Sequence, residues 1–224
     1  MAVRAPTFYP ERCSVAVRSM TYSADFQLSG PFRAQLGAPI ALNSTGILSA
    51  QSIASAGSAT TFAAAYSSGD TTMGIWGRCL RLVLSGAGTP TVDIRGRDYL
   101  GQRVRETLTG NGVTPVLGVK AFKHIDSITW TSVGGTTMDI GWRDCFGLPY
   151  KFKQLLLEQK NGIVAANAGT FVAGLASTTA ATATNADVRG TYLPSTVIPD
   201  GTNTFEVIYM PDELNLHGNA QFYS

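Results

Sequence analysis

The fold is decided by Cys79-Leu-Arg-Leu-Val-Leu84, Ser85-Gly-Ala-Gly-Thr-Pro90, Thr91-Val-Asp-Ile-Arg-Gly96, Arg97-Asp-Tyr-Leu-Gly-Gln102, Arg103-Val-Arg-Glu-Thr-Leu108 and Asn111-Gly112. In the first run Leu80, Leu82 and Leu84 share one face with Arg81 on the other, the period-two pattern of a strand that buries one side. Val92 and Ile94 repeat the pattern after a Gly/Pro turn. Arg97 to Gln102 reads as the next turn, and Asn111-Gly112 is a strong tight-turn signal. Short strands separated by turns roughly every ten residues predict an antiparallel sandwich or barrel.

The pattern extends outward. Val113 to Val119, Phe122 to Trp130 and Thr137 to Trp142 are further short runs. Phe152 to Gln159, Asn161-Gly162 and Ile163-Val-Ala-Ala166 read as a hairpin, with a short helix over 151–160 as the competing reading because Gln, Leu, Glu and Lys favour helix. Thr204 to Met210 is a strand behind the turn Pro199-Asp-Gly201. Residues 43–68 fit either a strand pair or a surface loop, and the low-complexity 173–186 reads as an exposed loop. Residues 1–40 carry Pro6, Pro10, Pro31 and Pro39 among isolated aromatics, which predicts an extended arm rather than a helix. Residues 211–224 read as a tail that orders only where something holds it. The expectation is therefore an all-β domain over 41–210, Ig-like or jelly-roll-like, with an extended N-terminal arm and a C-terminal tail.

The 224 residues are only 14% charged, with 17 basic against 15 acidic side chains. Ordinary globular chains carry about 25% charged residues, so much of this surface is expected to meet something other than water. The formal net charge of +2 gives no field that would recruit nucleic acid or membrane. No apolar run is long enough for a membrane-spanning helix, and the N-terminus lacks a secretory signal's apolar core. Cys13, Cys79 and Cys145 are far apart and without CxxC spacing, and with His124 and His217 as the only histidines they predict buried, reduced thiols rather than a zinc site. Asn43-Ser44-Thr45 matches a glycosylation sequon, which means little without a secretory signal.

Charge is segregated. Arg78, Arg81, Arg95, Arg97, Arg103 and Arg105 face only Asp93 and Asp98 over the same stretch, while the last 38 residues set Asp187, Asp200, Glu206, Asp212 and Glu213 against Arg189. A basic middle and an acidic end suit head-to-tail contacts between copies, and pairing within one chain is the plainer alternative. The arginine strands, with Tyr99 as their one aromatic, fit a protein interface better than a phosphate-binding face.

Catalytic signatures are sparse: GxSxG, P-loop and GxGxxG are absent from the sequence. His124 and Asp126 share a strand face and with Cys145 would sketch a hydrolase, but an ordinary surface histidine and a core cysteine explain them more simply. Asp93, Asp98, Asp139 and Asp144 lack the spacing of a calcium loop, and turn capping is the expected role. Neither an enzyme nor a bound cofactor or metal is expected.

Gly77 to Ala87, Val92 to Gln102, Glu106 to Asn111, Pro115 to Lys123, Ile125 to Ile128 and Asp139-Ile-Gly-Trp-Arg-Asp-Cys-Phe-Gly-Leu-Pro149, with a weaker echo at Asp187 to Ser195 and Pro199 to Gly201, resemble a group of tailed-bacteriophage structural proteins. The resemblance implies a β-rich virion component assembled in the host cytoplasm. The expected role is a capsid decoration or cement protein that bridges major capsid protein subunits and self-associates. Alternatives are a tail, collar or fibre-attachment subunit, or a carbohydrate-binding module using Trp76, Trp130 or Trp142. The expected contact residues are Phe8, Tyr9 and Phe32 of the arm, Arg81, Arg95, Arg97, Arg103 and Arg105 of the strands, and Phe222 and Tyr223 of the tail.

Overall fold

The computed structural model describes residues 30–66, 72–175 and 187–218. Every regular element there is a strand: β1 (Phe32–Gly37), β2 (Asn43–Ser52), β3 (Gly57–Ala59), β4 (Arg78–Leu84), β5 (Thr91–Arg97), β6 (Arg103–Thr109), β7 (Val116–Phe122), β8 (His124–Trp130), β9 (Thr137–Gly147), β10 (Phe152–Lys160), β11 (Ile163–Val164), β12 (Thr170–Ala173), β13 (Gly190–Leu193) and β14 (Phe205–Pro211). They form three sheets, β1-β14-β10-β11, β12-β13-β9-β4-β7 with β2 also on β9, and β3-β8-β5-β6. All the strand pairings are antiparallel. The expected all-β architecture is what forms.

The alternating runs do what their pattern requires. Leu80, Leu82 and Leu84 of β4, with Met138, Ile140 and Trp142 of β9, face Val92, Ile94, Val104, Leu108, Ile128 and Trp130 across one core. A second core gathers Ala34, Leu36, Phe146, Leu148, Tyr192, Phe205, Val207 and Tyr209 beneath the β1-β14-β10 sheet. Strand β9 supplies both, its first half to one core and its last residues to the other. The two cores therefore share a strand.

The first core is closed along one side by a side chain. Strands β6 and β7 edge different sheets, and Glu106 of β6 reaches across so that its Oε1 accepts the Val119 N–H at 2.6 Å and the Lys120 N–H at 3.1 Å. Gly118 makes room: a Cβ there would lie 2.6 Å from Glu106 Oε2 and 3.1 Å from the Leu80 carbonyl oxygen. The carboxylate thus stands in for ladder hydrogen bonds that the two edges cannot make directly.

Several boundaries differ from the sequence expectation. The arm was expected to reach residue 40, but Phe32–Gly37 is β1, in register with β14 from Phe32↔Tyr209 to Gly37↔Phe205. Its Ala34 and Leu36 alternate into the second core between Pro31 and Pro39, which bound the strand rather than forbid it. The start of the tail is likewise held: Lys151 N–H donates to the Leu216 carbonyl at 2.7 Å, and Lys151 Nζ pairs with Asp212 at 3.0 Å. The strand expected over 113–119 begins at Val116, because Asn111 to Thr114 forms the turn. Residues 43–59 form two strands that pair with β9 and β8 rather than with each other. Over 152–160 strand wins against helix, since β14 pairs along its length.

Candidate interaction surface

The interior holds an unusual share of the chain's charge. Among the described residues Arg78, Lys120, Lys151, Lys160 and Arg189 are buried alongside Asp98, Glu106, Asp144, Glu158 and Asp187, five cations and five anions in a chain with 14% charged residues. Buried charges persist when paired. Arg189 Nη2 meets Asp98 Oδ2 at 2.8 Å as an ion pair, and the guanidinium lies 4.8 Å from the Tyr99 ring centre. Asp98 also caps its own turn by accepting the Leu100 and Gln102 N–H groups, each at 2.9 Å. With the Tyr99 hydroxyl donating to the Pro149 carbonyl, this clamps the β5–β6 turn onto the end of β9. Arg78 Nη2 pairs with Asp144 at 2.8 Å while its Nε donates to the Arg143 carbonyl at 2.9 Å. Burial lowers the Arg78 guanidinium to about 10 even against that partner.

The arginine strands carry their own counter-charges. Residues 91, 93, 95 and 97 of β5 and 103, 105, 107 and 109 of β6 form the outer face, with Arg95 opposite Arg105 and Arg97 opposite Arg103. Asp93 accepts from Arg105 at 2.6 Å, Arg95 at 3.0 Å and Thr107 at 3.1 Å. Burial works to raise this carboxyl, but those bonds outweigh it and hold it below the usual range. Arg97 pairs with Asp126 at 3.3 Å. Three of the face's four guanidinium groups, those of Arg95, Arg105 and Arg97, thus pair with two carboxylates. Arg81 lies apart, half-buried on β4 opposite Leu117, and its buried Nε has no hydrogen-bond partner among the described residues.

Of the other expected contact residues, Phe8, Tyr9, Phe222 and Tyr223 lie outside the described residues. Phe32 is half-buried and turned onto its own chain, edge-on to Tyr150 at 4.6 Å and to Tyr209 at 6.1 Å. The hydrolase sketch does not assemble: Cys145 is buried against Cys79, whereas His124 and Asp126 are exposed on β8. The four aspartates serve the chain itself, Asp139 accepting the Ala50 N–H at 2.7 Å and the others acting as above. Trp130 and Trp142 are buried, donating to the Ser55 and Ala41 carbonyls at 3.1 and 3.0 Å. Their ring faces are therefore closed to a sugar.

What the sequence reading missed is an apolar edge. Asn161 and Gly162, at φ 54° and 73°, form the two-residue turn of the β10–β11 hairpin. Strand β11 then stops after Ile163 and Val164, which are 71% and 57% exposed, and Ile198 nearby is 59% exposed. Ile163 and Val164 line a cleft of about 320 Å³ whose wall also includes Ala165, Ala166, Thr196 and Val197, with Asn161 and Asn167 as its neutral polar members. The one charged group in its wall, Lys160, faces inward: its Nζ lies 3.2 Å from Glu158 and donates to the Ser195 carbonyl. Leu156 on β10 and Val172 on the edge strand β12 are also exposed. The residues were visible in the sequence. Their exposure depends on where β11 ends, which was not.

Comparison with known protein families, with curated proteins and with solved structures finds no match.

Proposed function

We propose that the chain is a structural component of a tailed-phage virion, a head decoration or cement protein that lies over neighbouring capsid subunits and bridges them. The observation that carries this reading is the exposed apolar edge of Ile163, Val164 and Ile198, on a body that has taken ten of its charges inside. An isolated exposed aliphatic needs no explanation, but two lining one apolar cleft, with a third next in sequence to its wall residue Val197, suit a surface to be covered by a partner. The segments between Gly77 and Pro149 that resemble tailed-phage structural proteins agree with the same reading. Each such side chain, fully covered, contributes about 2 kcal/mol. Contacts that weak bind firmly when many copies act together on one shell.

Quantitative mass spectrometry of purified virions tests the proposal. Copies in a simple ratio to the major capsid protein support it, a handful per particle moves the protein to the tail or a vertex, and absence from particles overturns it. Ile163→Asp together with Val164→Asp is expected to leave urea unfolding unchanged, both positions being exposed, and to prevent the protein from adding to particles that lack it. Normal addition of this variant would remove the apolar edge from the reading.

A further inference from the structure

The chain's two described cysteines meet across a strand pair. Cys79 lies on β4 and Cys145 on β9, where the ladder passes from Arg78↔Phe146 to Leu80↔Trp142. The register shift between those two pairs falls at Cys79, so the two cysteines sit at the irregularity of the β4–β9 ladder. Both thiols are buried, and the Cys79 S–H donates to Cys145 Sγ at 3.1 Å, across 66 residues of sequence. Adjacent antiparallel strands bring opposed side chains within the span a disulfide requires. Closing to the ~2.05 Å of an S–S bond needs each sulfur to move by about half an ångström. The site adjoins the irregular segment of β9 where Arg78 bonds Arg143 and Asp144. A cross-link there would fasten the strand that serves both cores.

We propose that Cys79 and Cys145 form a two-electron redox site, oxidised by peroxide to an intrachain disulfide that staples β4 to β9. The Cys145 thiolate attacks one peroxide oxygen, the O–O bond breaks, and Cys145 becomes a sulfenic acid as hydroxide leaves and takes up the thiol proton as water. Cys79 sulfur then attacks the sulfenic sulfur, the S–O bond breaks, and the departing hydroxyl leaves as a second water with the Cys79 proton. Two thiols and one hydrogen peroxide thus give one disulfide and two waters. The order of attack follows from the hydrogen bond: Cys145 is the acceptor, and that bond favours its thiolate, whereas burial pushes the Cys79 thiol up. The inference is independent of the virion reading.

The test treats the purified full-length protein with hydrogen peroxide, blocks remaining thiols with N-ethylmaleimide in denaturant and digests with trypsin. Cleavage after Arg78 and Arg81 and after Arg143 and Lys151 isolates each cysteine in its own peptide. The expected product is Cys79–Arg81 joined to Asp144–Lys151, two hydrogens lighter than the sum of the thiol peptides and separated by dithiothreitol, with Cys13 carrying the maleimide. Oxidation is also expected to raise the thermal midpoint by on the order of 10 °C, because the cross-link closes a long loop. Dithiothreitol should reverse that rise, and Cys79→Ser should lack it. Alkylation of Cys79 and Cys145 after oxidation, linkage of either to Cys13, or sulfinic acid at Cys145 without a cross-link would each overturn the proposal.

Discussion

Replacing Glu106 by Gln should make the protein less sensitive to pH in a direction opposite to that of most carboxylates. Glu106 is 1% exposed, and its Oε2 has no hydrogen-bond partner among the described residues. Burial raises its pKa from the ordinary 4.5 to about 7, against the pull of the Val119 and Lys120 N–H groups and the Lys120 charge, and with the push of Asp187. The folded state therefore holds this proton more tightly than the unfolded chain. Its stabilising effect is complete below pH 4.5 and is lost as pH rises through 7. At about 1.36 kcal/mol per pH unit the full loss is about 3 kcal/mol, of which about 2.5 kcal/mol falls between pH 5 and pH 8. Gln keeps a carbonyl oxygen for the two backbone donors and carries no charge to desolvate. Urea unfolding of both proteins at pH 5 and pH 8 should show the variant gaining on the wild type by about 2 kcal/mol across that interval. Parallel pH dependences would refute the reasoning, since Glu106 would then titrate alike in the folded and unfolded chain.

Other perturbations probe the same framework. Asp98→Asn removes the carboxylate 2.8 Å from buried Arg189 and leaves it only the charge of Asp187, and should lower unfolding stability by about 1–3 kcal/mol in urea titration. Arg33→Ala, at an ion pair whose arginine is 60% exposed, should leave it unchanged in the same urea titration. Gly118→Ala puts a methyl 2.6 Å from Glu106 Oε2 and should cost about 1–3 kcal/mol in calorimetry, less when Glu106 is already Ala. Gly162→Val forces a β-branched residue to φ 73° and should destabilise the protein by about 1–3 kcal/mol in the same experiment.

How much was legible depended on how local the signal was. The alternation in 79–108 placed β4, β5 and β6, and the inward faces of β4 and β5, because period two is written in the residues themselves. Asn161-Gly162 set the hairpin against a favourable helix propensity because β14, far along the chain, supplies the ladder. Strand β1 was hidden for the same reason, its partner Tyr209 lying 177 residues from Phe32. Glu106 was legible in principle: Val104, Glu106 and Leu108 share a face, and a carboxylate in the apolar register announces a buried charge. Arg189 and Asp98 were not, since their pairing requires the β5–β6 turn to fold onto β9.

The length of β11 bears on how a partner would bind. A long, flat apolar edge invites open-ended strand addition and aggregation. Here the outer strand of the sheet pairs through only Gln159↔Val164 and Lys160↔Ile163, too few residues to template a further ladder. Its exposed side chains, and not its backbone, are what it offers. A partner seated there would meet Ile163, Val164 and Ile198 in a closed, side-chain-mediated contact, with stoichiometry set by the partner's surface rather than by continued strand pairing. A shell subunit that must add once per site and then stop requires that property. On assembly, hydrogen exchange should therefore slow little at the β11 amides, while solvent access to the three side chains falls. Strong new amide protection along β11 would instead mean that the sheet is extended by the partner.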